Sequence, residues 1–291
     1  MKISLLTDAP QHNLALMKIS AWHKANGDIV NYNMLNTNAD LTYGSWLFSQ
    51  RHYADINGGS IFPNIELDSK FEGKPDYDLF PIDYSLGYTW RYCPRKCEFC
   101  VVPKQHNTKE HRSIWAFHDA KFNKLCLLNN NTFSDPKWLD TFQEIWDAKL
   151  TVIEHGFDIR LIDDEKAETL KKTTFEKGYV HFAWDLMNDE RKVRQGLKLV
   201  RLYRIRAMVY VLVGFNTTIE QDLHRCQIIH DFGFDPYIMP YNRGTKENRK
   251  FKRFIDTRVY RKYKTLQEAW NDYGKKHITE CCNQEIMGLG I

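Results

Sequence analysis

Between residues 124 and 240 the chain alternates short apolar runs with longer amphipathic stretches, and no other feature limits the fold so strongly. Lys124-Leu125-Cys126-Leu127-Leu128 reads as a strand, with Asn129-Asn130-Asn131-Thr132 as the loop at its carboxyl end. Pro136 to Leu150 reads as a helix: Trp138, Phe142, Ile145 and Trp146 share one face, and Ser134 or Asp135 is placed to cap it. Thr151-Val152-Ile153 and the segment Phe157-Asp158-Ile159-Arg160 follow, then a helix over 164–175, a strand from Tyr179 to Asp185 and a helix over 189–203. Ala207 to Gly214 is nearly continuous in apolar residues, as a parallel strand buried on both faces should be. A helix from Thr218 to Phe232 stops at Gly233, and Pro236 to Pro240 is a last short strand.

The N-terminal part repeats the alternation on a smaller scale. Residues 2–7 read as a buried strand, 13–25 as a helix through Leu14, Met17, Ile19, Ala21 and Trp22, and 28–32 as a second strand after Gly27. This is a Rossmann-like βαβ start, but no G-x-G-x-x-G follows the first strand, so there is no dinucleotide fingerprint. Gly58-Gly59-Ser60 reads as a turn in preference to a close approach to a ligand. Residues 67–79 are polar and contain Gly and Pro, the best candidate for a linker. The expected organisation is a small Rossmann-like domain over 1–75, a core over 76–245 and an extension over 246–291.

Between the two parts lies Trp90-Arg91-Tyr92-Cys93-Pro94-Arg95-Lys96-Cys97-Glu98-Phe99-Cys100. Its three cysteines stand at C-x-x-x-C-x-x-C spacing, close enough to converge on one soft metal centre. A closed zinc site or a fully ligated cluster needs a fourth ligand, and none follows within the next few residues. A [4Fe–4S] cluster held by three cysteines instead leaves one iron open to a cofactor or substrate. Counted from this loop, the chain offers about six βα units, the pattern of a parallel sheet with covering helices. Ligands bind at the carboxyl ends of such strands. The polar groups gather there: the cysteines, Asn129 to Asn131, Asp158 and Arg160, Asp185, Asn216 to Glu220, and Tyr241 to Arg243.

The composition fits metal or redox chemistry in a reducing compartment. Seven cysteines, an odd number with three clustered, do not make a disulfide framework. A net charge of +4 suits an anionic partner without requiring one. No apolar run reaches the roughly 18 residues of a membrane span, and the N-terminus turns polar too soon for a signal peptide. A cytoplasmic protein without membrane contact is therefore expected.

From about residue 244 basic residues crowd together with Phe251, Phe254, Tyr260 and Tyr263. Such a mixture binds nucleic acid by phosphate contact and stacking, or it is an amphipathic helix with a buried aromatic face and a solvated basic one. The helix is the preferred reading. Cys281-Cys282, being adjacent, are poor joint ligands for a cluster. The competing function is a zinc- or iron–sulfur-stabilised nucleic-acid-binding protein without catalysis, with a fourth ligand drawn from His106, His111 or Cys126.

Cys93, Cys97 and Cys100, with Phe99 before the third, match the signature of the radical S-adenosylmethionine enzymes, and the chain over about residues 80–245 resembles that family. The resemblance implies a partial (β/α)6 barrel. The first 75 or so residues resemble a shortened cobalamin-binding-type Rossmann domain, found before the barrel in one branch of the family. Pro75-Asp76-Tyr77 through Ile82 to Gly87 is similar to that branch too. Asp8-Ala9-Pro10-Gln11-His12-Asn13 does not fit the D-x-H-x-x-G cobalamin motif, so cobalamin is not expected. The implied cofactors are a [4Fe–4S] cluster on Cys93, Cys97 and Cys100, and S-adenosylmethionine on its open iron. Reductive cleavage would give methionine and a 5′-deoxyadenosyl radical that takes hydrogen from a substrate. A small electron donor such as flavodoxin or ferredoxin is implied as partner.

Carried over by position, Phe99 lies by the adenine, and Asn129, Asn130 and Asn131 replace the family's glycine-rich loop at the methionine amino group. Asp158 is placed among the cofactor contacts, Arg160 pairs with the methionine carboxylate, and Asp185 bonds the ribose. Val211, Val213 and Gly214 flank the adenine. Met239, Tyr241 and Arg243 are assigned to the substrate side. The substrate class stays open between nucleotide or nucleic acid, peptide and small metabolite, with the basic tail leaning toward an anion.

Overall fold

The computed structural model describes residues 1–34, 38–48, 54–62, 64–105 and 108–275. Its architecture is mixed α/β, built on parallel sheets. The chain divides into two compact units, Met1–His155 with Thr173–Glu176, and Gly156–Lys172 with Lys177–Ile291. The boundaries expected near residues 75 and 245 each fall inside a unit.

In the first unit, β1 (Lys2–Thr7), β2 (Ile29–Tyr32), β3 (Leu41–Ser45) and β4 (Ile56–Gly58) form a parallel sheet in the order β2-β1-β3-β4. That order begins a doubly wound sheet, whose ligand crevice opens at the carboxyl ends where the winding reverses, between β1 and β3. Central β1 is buried from Ile3 onward, which is why it reads as an unbroken apolar run. Helix α1 (Leu14–Ala25) starts at Asn13, whose side chain accepts from Leu16 N and donates to Thr7 Oγ1 at 2.8 Å. The glycine pair does serve a turn. Gly59 has φ +98°, and a Cβ there would stand 2.4 Å from the Trp46 carbonyl oxygen.

A second parallel sheet in the same unit joins β5 (Ser85–Gly87), β6 (Lys124–Leu127) and β7 (Thr151–Ile153) in chain order. The two sheets share one core, in which Ile3, Leu5, Met17 and Tyr43 pack with Leu86 and Cys126. Residues 67–79 are not a spacer. Phe71 and Tyr77 are buried in this core, and the Tyr77 hydroxyl donates to Phe117 O at 2.7 Å and accepts from Leu86 N at 3.2 Å. Two buried aromatics outweigh the polar majority around them. Helix α2 (Trp138–Asp147) begins later than the spacing suggests and has no side-chain cap. Asp135 instead accepts from Lys137 N at 2.9 Å and from the His111 ring at 2.6 Å.

The second unit holds α3 (Asp164–Lys172), β8 (Val180–Ala183), α4 (Glu190–Leu202), β9 (Ala207–Val213), α5 (Ile219–Asp231), β10 (Asp235–Pro240) and α6 (Lys246–Asp256). Its parallel sheet has the order β10-β9-β8, again in chain order, with β9 central. Capping boxes fix the starts of α5 (Thr218 with Gln221) and α6 (Thr245 with Asn248). Helix α6 packs on β10 with Phe251, Phe254 and Ile255 buried, while Lys246, Arg249 and Arg253 are exposed. Tyr260 is buried too, so three of the four aromatics in the basic segment are not available for stacking on bases. Cys281 and Cys282 lie outside the described residues.

Candidate functional site

Strands β5 and β6 are parallel, with Gly87 opposite Leu127, so the chain leaves both strands at the same edge. Leu128 N donates to Gly87 O at 2.9 Å and extends the pairing by one step. This register sets Asn129, Asn130 and Asn131 against the loop that carries the cysteines. Asn129 Oδ1 accepts from Thr89 N at 2.9 Å and from Trp90 N at 3.1 Å, and its Nδ2 donates to Thr89 Oγ1 at 2.8 Å. Asn130 Nδ2 donates to Arg91 O at 2.6 Å. Asn131 Nδ2 donates to Cys93 Sγ at 3.7 Å. A primary amide carries donor and acceptor on a short stem, so three in a row can hold an irregular backbone where no strand continues. Ser134 joins them, accepting from Trp90 Nε1 at 3.0 Å and donating to Asn131 O at 2.8 Å.

Cys93, Cys97 and Cys100 form no disulfide, and each is half-buried. Cys100 N donates to Cys97 O at 3.0 Å, closing the turn between the second and third. The setting is cationic. The Arg91 guanidinium lies 5.1 Å from the Tyr88 ring centroid and Lys109 Nζ 4.7 Å from that of Tyr92, and Arg95 and Lys96 belong to the loop itself. Three accessible thiols on a tied, positively charged loop fit a cluster with three protein ligands. Phe99, next to the third, is half-buried.

Of the fourth ligands considered, His106 lies outside the described residues. His111 gives its Nδ1 to Asp135, which is fully buried. Cys126 is in the core on β6, with Sγ 3.4 Å from His155 Nε2. Cys126, His155 and His12 form a group of their own, with one donor atom from each lying within 4.8 Å of the others. Sequence reasoning missed this trio, because its members are far apart in the chain and meet only through the packing of two sheets.

The other expected residues belong to the second unit. Asp158 accepts from Arg160 N at 3.1 Å and forms a two-point pair with the Arg160 guanidinium, Nε–Oδ1 2.7 Å and Nη2–Oδ2 3.1 Å. Arg160 Nη1 also bonds Asp189. Burial opposes this charge, but the two carboxylates outweigh it and raise the guanidinium pKa. Asp185 follows β8, and burial pushes its carboxyl up to about 6, against the pull of Arg225 and Arg160. Val211 and Val213 are fully buried in β9. Gly214 has φ +77°, and a Cβ there would stand 2.7 Å from Asn248 Oδ1, in the capping box of α6. Met239 is about half exposed, and the Tyr241 ring meets Phe215 edge-on at 5.1 Å. The Arg243 side chain lies outside the described residues.

Sequence reasoning missed Arg225. It is fully buried, pairs with buried Asp222 at 2.5 Å, and donates to Trp184 O at 2.7 Å, Asp185 O at 2.9 Å and Leu212 O at 2.6 Å. It therefore ties the carboxyl ends of β8 and β9 together. The available signal was an arginine on the apolar stripe of α5, between Leu223, Cys226 and Ile229, with an aspartate one turn before it.

No family model matches the chain, and no curated protein matches it. Among solved structures, SuiB of Streptococcus suis bound to S-adenosylmethionine aligns at 14% identity and TM-score 0.42, over 61% of this chain and 46% of that one. A second structure of SuiB aligns at 12% identity and TM-score 0.46, over 63% and 48%. SuiB bound to its precursor peptide SuiA aligns at 13% identity and TM-score 0.42, over 55% and 39%. The chain spans less than half the length of the solved structures it matches.

Proposed function

We propose that the chain is a radical S-adenosylmethionine enzyme, with Cys93, Cys97 and Cys100 as the protein ligands of a [4Fe–4S] cluster. The observation that carries this is the tied cysteine loop: three cysteines outside any disulfide, at the family's spacing, at the carboxyl end of β5, held from the adjoining end of β6 by Asn129, Asn130 and Asn131. The partial (β/α)6 barrel belongs to the same proposal; β5 to β7 and β8 to β10 form two separate three-stranded parallel sheets, one in each unit. When bound, the cluster supplies the electron that cleaves S-adenosylmethionine to methionine and a hydrogen-abstracting 5′-deoxyadenosyl radical.

The chain's own contribution is support and charge. Asn129 and Asn130 fix the backbone before the first cysteine, so the loop need not be ordered when it is loaded. The Asn131 amide directs a hydrogen bond at Cys93 sulfur and so helps to hold it in place. Arg91, Arg95, Lys96 and Lys109 offset the negative charge that three thiolates bring. The roles of Phe99, Asp158, Arg160, Asp185, Val211, Val213 and Gly214 toward S-adenosylmethionine, and of Met239, Tyr241 and Arg243 toward substrate, belong to the same proposal and rest on the family resemblance. So does the electron donor; the absence of cobalamin is proposed from the unmatched motif at residues 8–13, and the cytoplasmic setting from the cysteine usage and the polar N-terminus. Among the described residues no helix is long and apolar enough to cross a membrane.

The test is anaerobic reconstitution, followed by iron and sulfide analysis and an assay for 5′-deoxyadenosine under reductant, with nucleotide, peptide and small-metabolite panels. The expected protein is brown and forms 5′-deoxyadenosine, and Cys97→Ala abolishes that product. A colourless protein with one tightly held zinc and no cleavage would instead establish the structural-metal reading. In that reading the basic face of α6 would have phosphate contacts available.

A further inference from the structure

The trio His12, Cys126 and His155 stands apart from the cysteine loop, and no step proposed above uses it. We infer that these three side chains form a second metal site, one that takes a single zinc ion with an open fourth position. All three residues lie in the first unit. His12 is on the loop after β1, Cys126 on β6, and His155 two residues beyond the end of β7.

The donor set and its spacing both support zinc. One thiol and two imidazoles, with no carboxylate among them, suit zinc and not the oxygen-seeking magnesium or calcium. Zn–S and Zn–N bonds of about 2.3 and 2.0–2.1 Å at a tetrahedral angle set the S···N edge at roughly 3.6 Å. The observed distance from Cys126 Sγ to His155 Nε2 is 3.4 Å, and a His12 donor atom lies within 4.8 Å of both. His12 and His155 pack edge to face, with ring centroids 5.5 Å apart.

Burial divides the trio in a useful way. Cys126 is fully buried and anchors the ion from the core, while both histidines are exposed. Three protein ligands with solvent on one side leave the fourth position to water, the arrangement of an open zinc site. The loop after β1 is also where a doubly wound sheet places its ligands. The ion would fasten that loop to the second sheet of the unit.

The site is tested in the full-length chain carrying Cys93→Ser, Cys97→Ser, Cys100→Ser, Cys281→Ser and Cys282→Ser, so that no other clustered thiol competes. This protein is expected to retain one equivalent of zinc after dialysis. With cobalt(II) in place of zinc it should develop a thiolate-to-cobalt charge-transfer band. Cys126→Ser should abolish the band, and His12→Asn and His155→Asn should each weaken cobalt binding at least tenfold. Zinc retention that is absent, or unaffected by the two histidine changes, would overturn the site and leave a thiol–imidazole hydrogen bond. Because both histidines are exposed, their variants carry the test even if Cys126→Ser does not fold. The outcome is independent of the proposed cluster, whose three cysteines are serines in this protein.

Discussion

Asn129 shows how much one amide does here. Its oxygen serves two backbone N–H groups and its nitrogen a hydroxyl, so Asn129→Ala leaves Thr89 N and Trp90 N without an acceptor. The expected cost is about 2–4 kcal/mol in urea denaturation, with lower iron content after reconstitution, and Asn129→Asp should recover part of it by keeping the acceptor. Asp185 makes a prediction of opposite sign. Its carboxyl is raised from 3.8 to about 6 in the folded protein. Below the lower value both folded and unfolded chains hold the proton, and the group has no effect on stability. Between the two values only the folded chain holds it, so stability falls as pH rises, by a total of about 2–3 kcal/mol once pH exceeds 6. Asp185→Asn should therefore gain on the native protein between about pH 4 and pH 6 and hold a constant advantage above that. A difference that does not change with pH in denaturation midpoints would contradict the assignment. The polar residues at strand ends were legible as a group, since polar side chains interrupt an otherwise apolar pattern there. The partners of Asn129, Asn130 and Asn131 were not, because the pairing of Gly87 with Leu127 selects them and that register is tertiary.

Helix α5 is the element with most at stake in a single pair. Arg225→Met would leave Asp222 buried without its counter-charge and release three carbonyls, at an expected cost of about 3–5 kcal/mol. The double change Asp222→Leu with Arg225→Met should cost clearly less than Arg225→Met alone, and a double-mutant cycle in guanidinium measures the difference. At the end of β9, Gly214→Ala combines a positive φ with a contact on the α6 capping box, and should destabilise by about 1–3 kcal/mol while leaving Thr218 capping intact. The start of α5 at Thr218 was legible. The start of α2 was not, since Asp135, a good cap by type, is drawn to His111 and Lys137 N. The buried pair was hidden for a different reason: charged residues are ordinary on helices, and only packing tells which face is covered.

For the molecule as a whole, the alternation of apolar and amphipathic segments was enough to anticipate parallel strands with helices between them, because period and length follow from local geometry. The division into units was not, because a shared core depends on which surfaces meet. Loading the cluster is expected to slow hydrogen exchange over residues 88–105 and 129–135, which are joined by hydrogen bonds, and to leave α5 and α6 unchanged. Mass-spectrometric exchange of the apo and reconstituted protein checks this, and equal slowing everywhere would show that the loop is not a local unit.

The buried segment over residues 67–79 bears on how this protein can be taken apart. Phe71 and Tyr77 fasten it, and Leu86 and Cys126 lie in the same apolar cluster as Ile3 and Leu5. A shortened chain begun after residue 75, the cut that composition invites, would lose Phe71 along with the whole first sheet and turn the faces of β5 and β6 toward water. Such a fragment is a poor starting point for crystallisation or for grafting the cysteine loop elsewhere. Expression, labelling and fusion should keep the N-terminal strands attached to the loop they help to support.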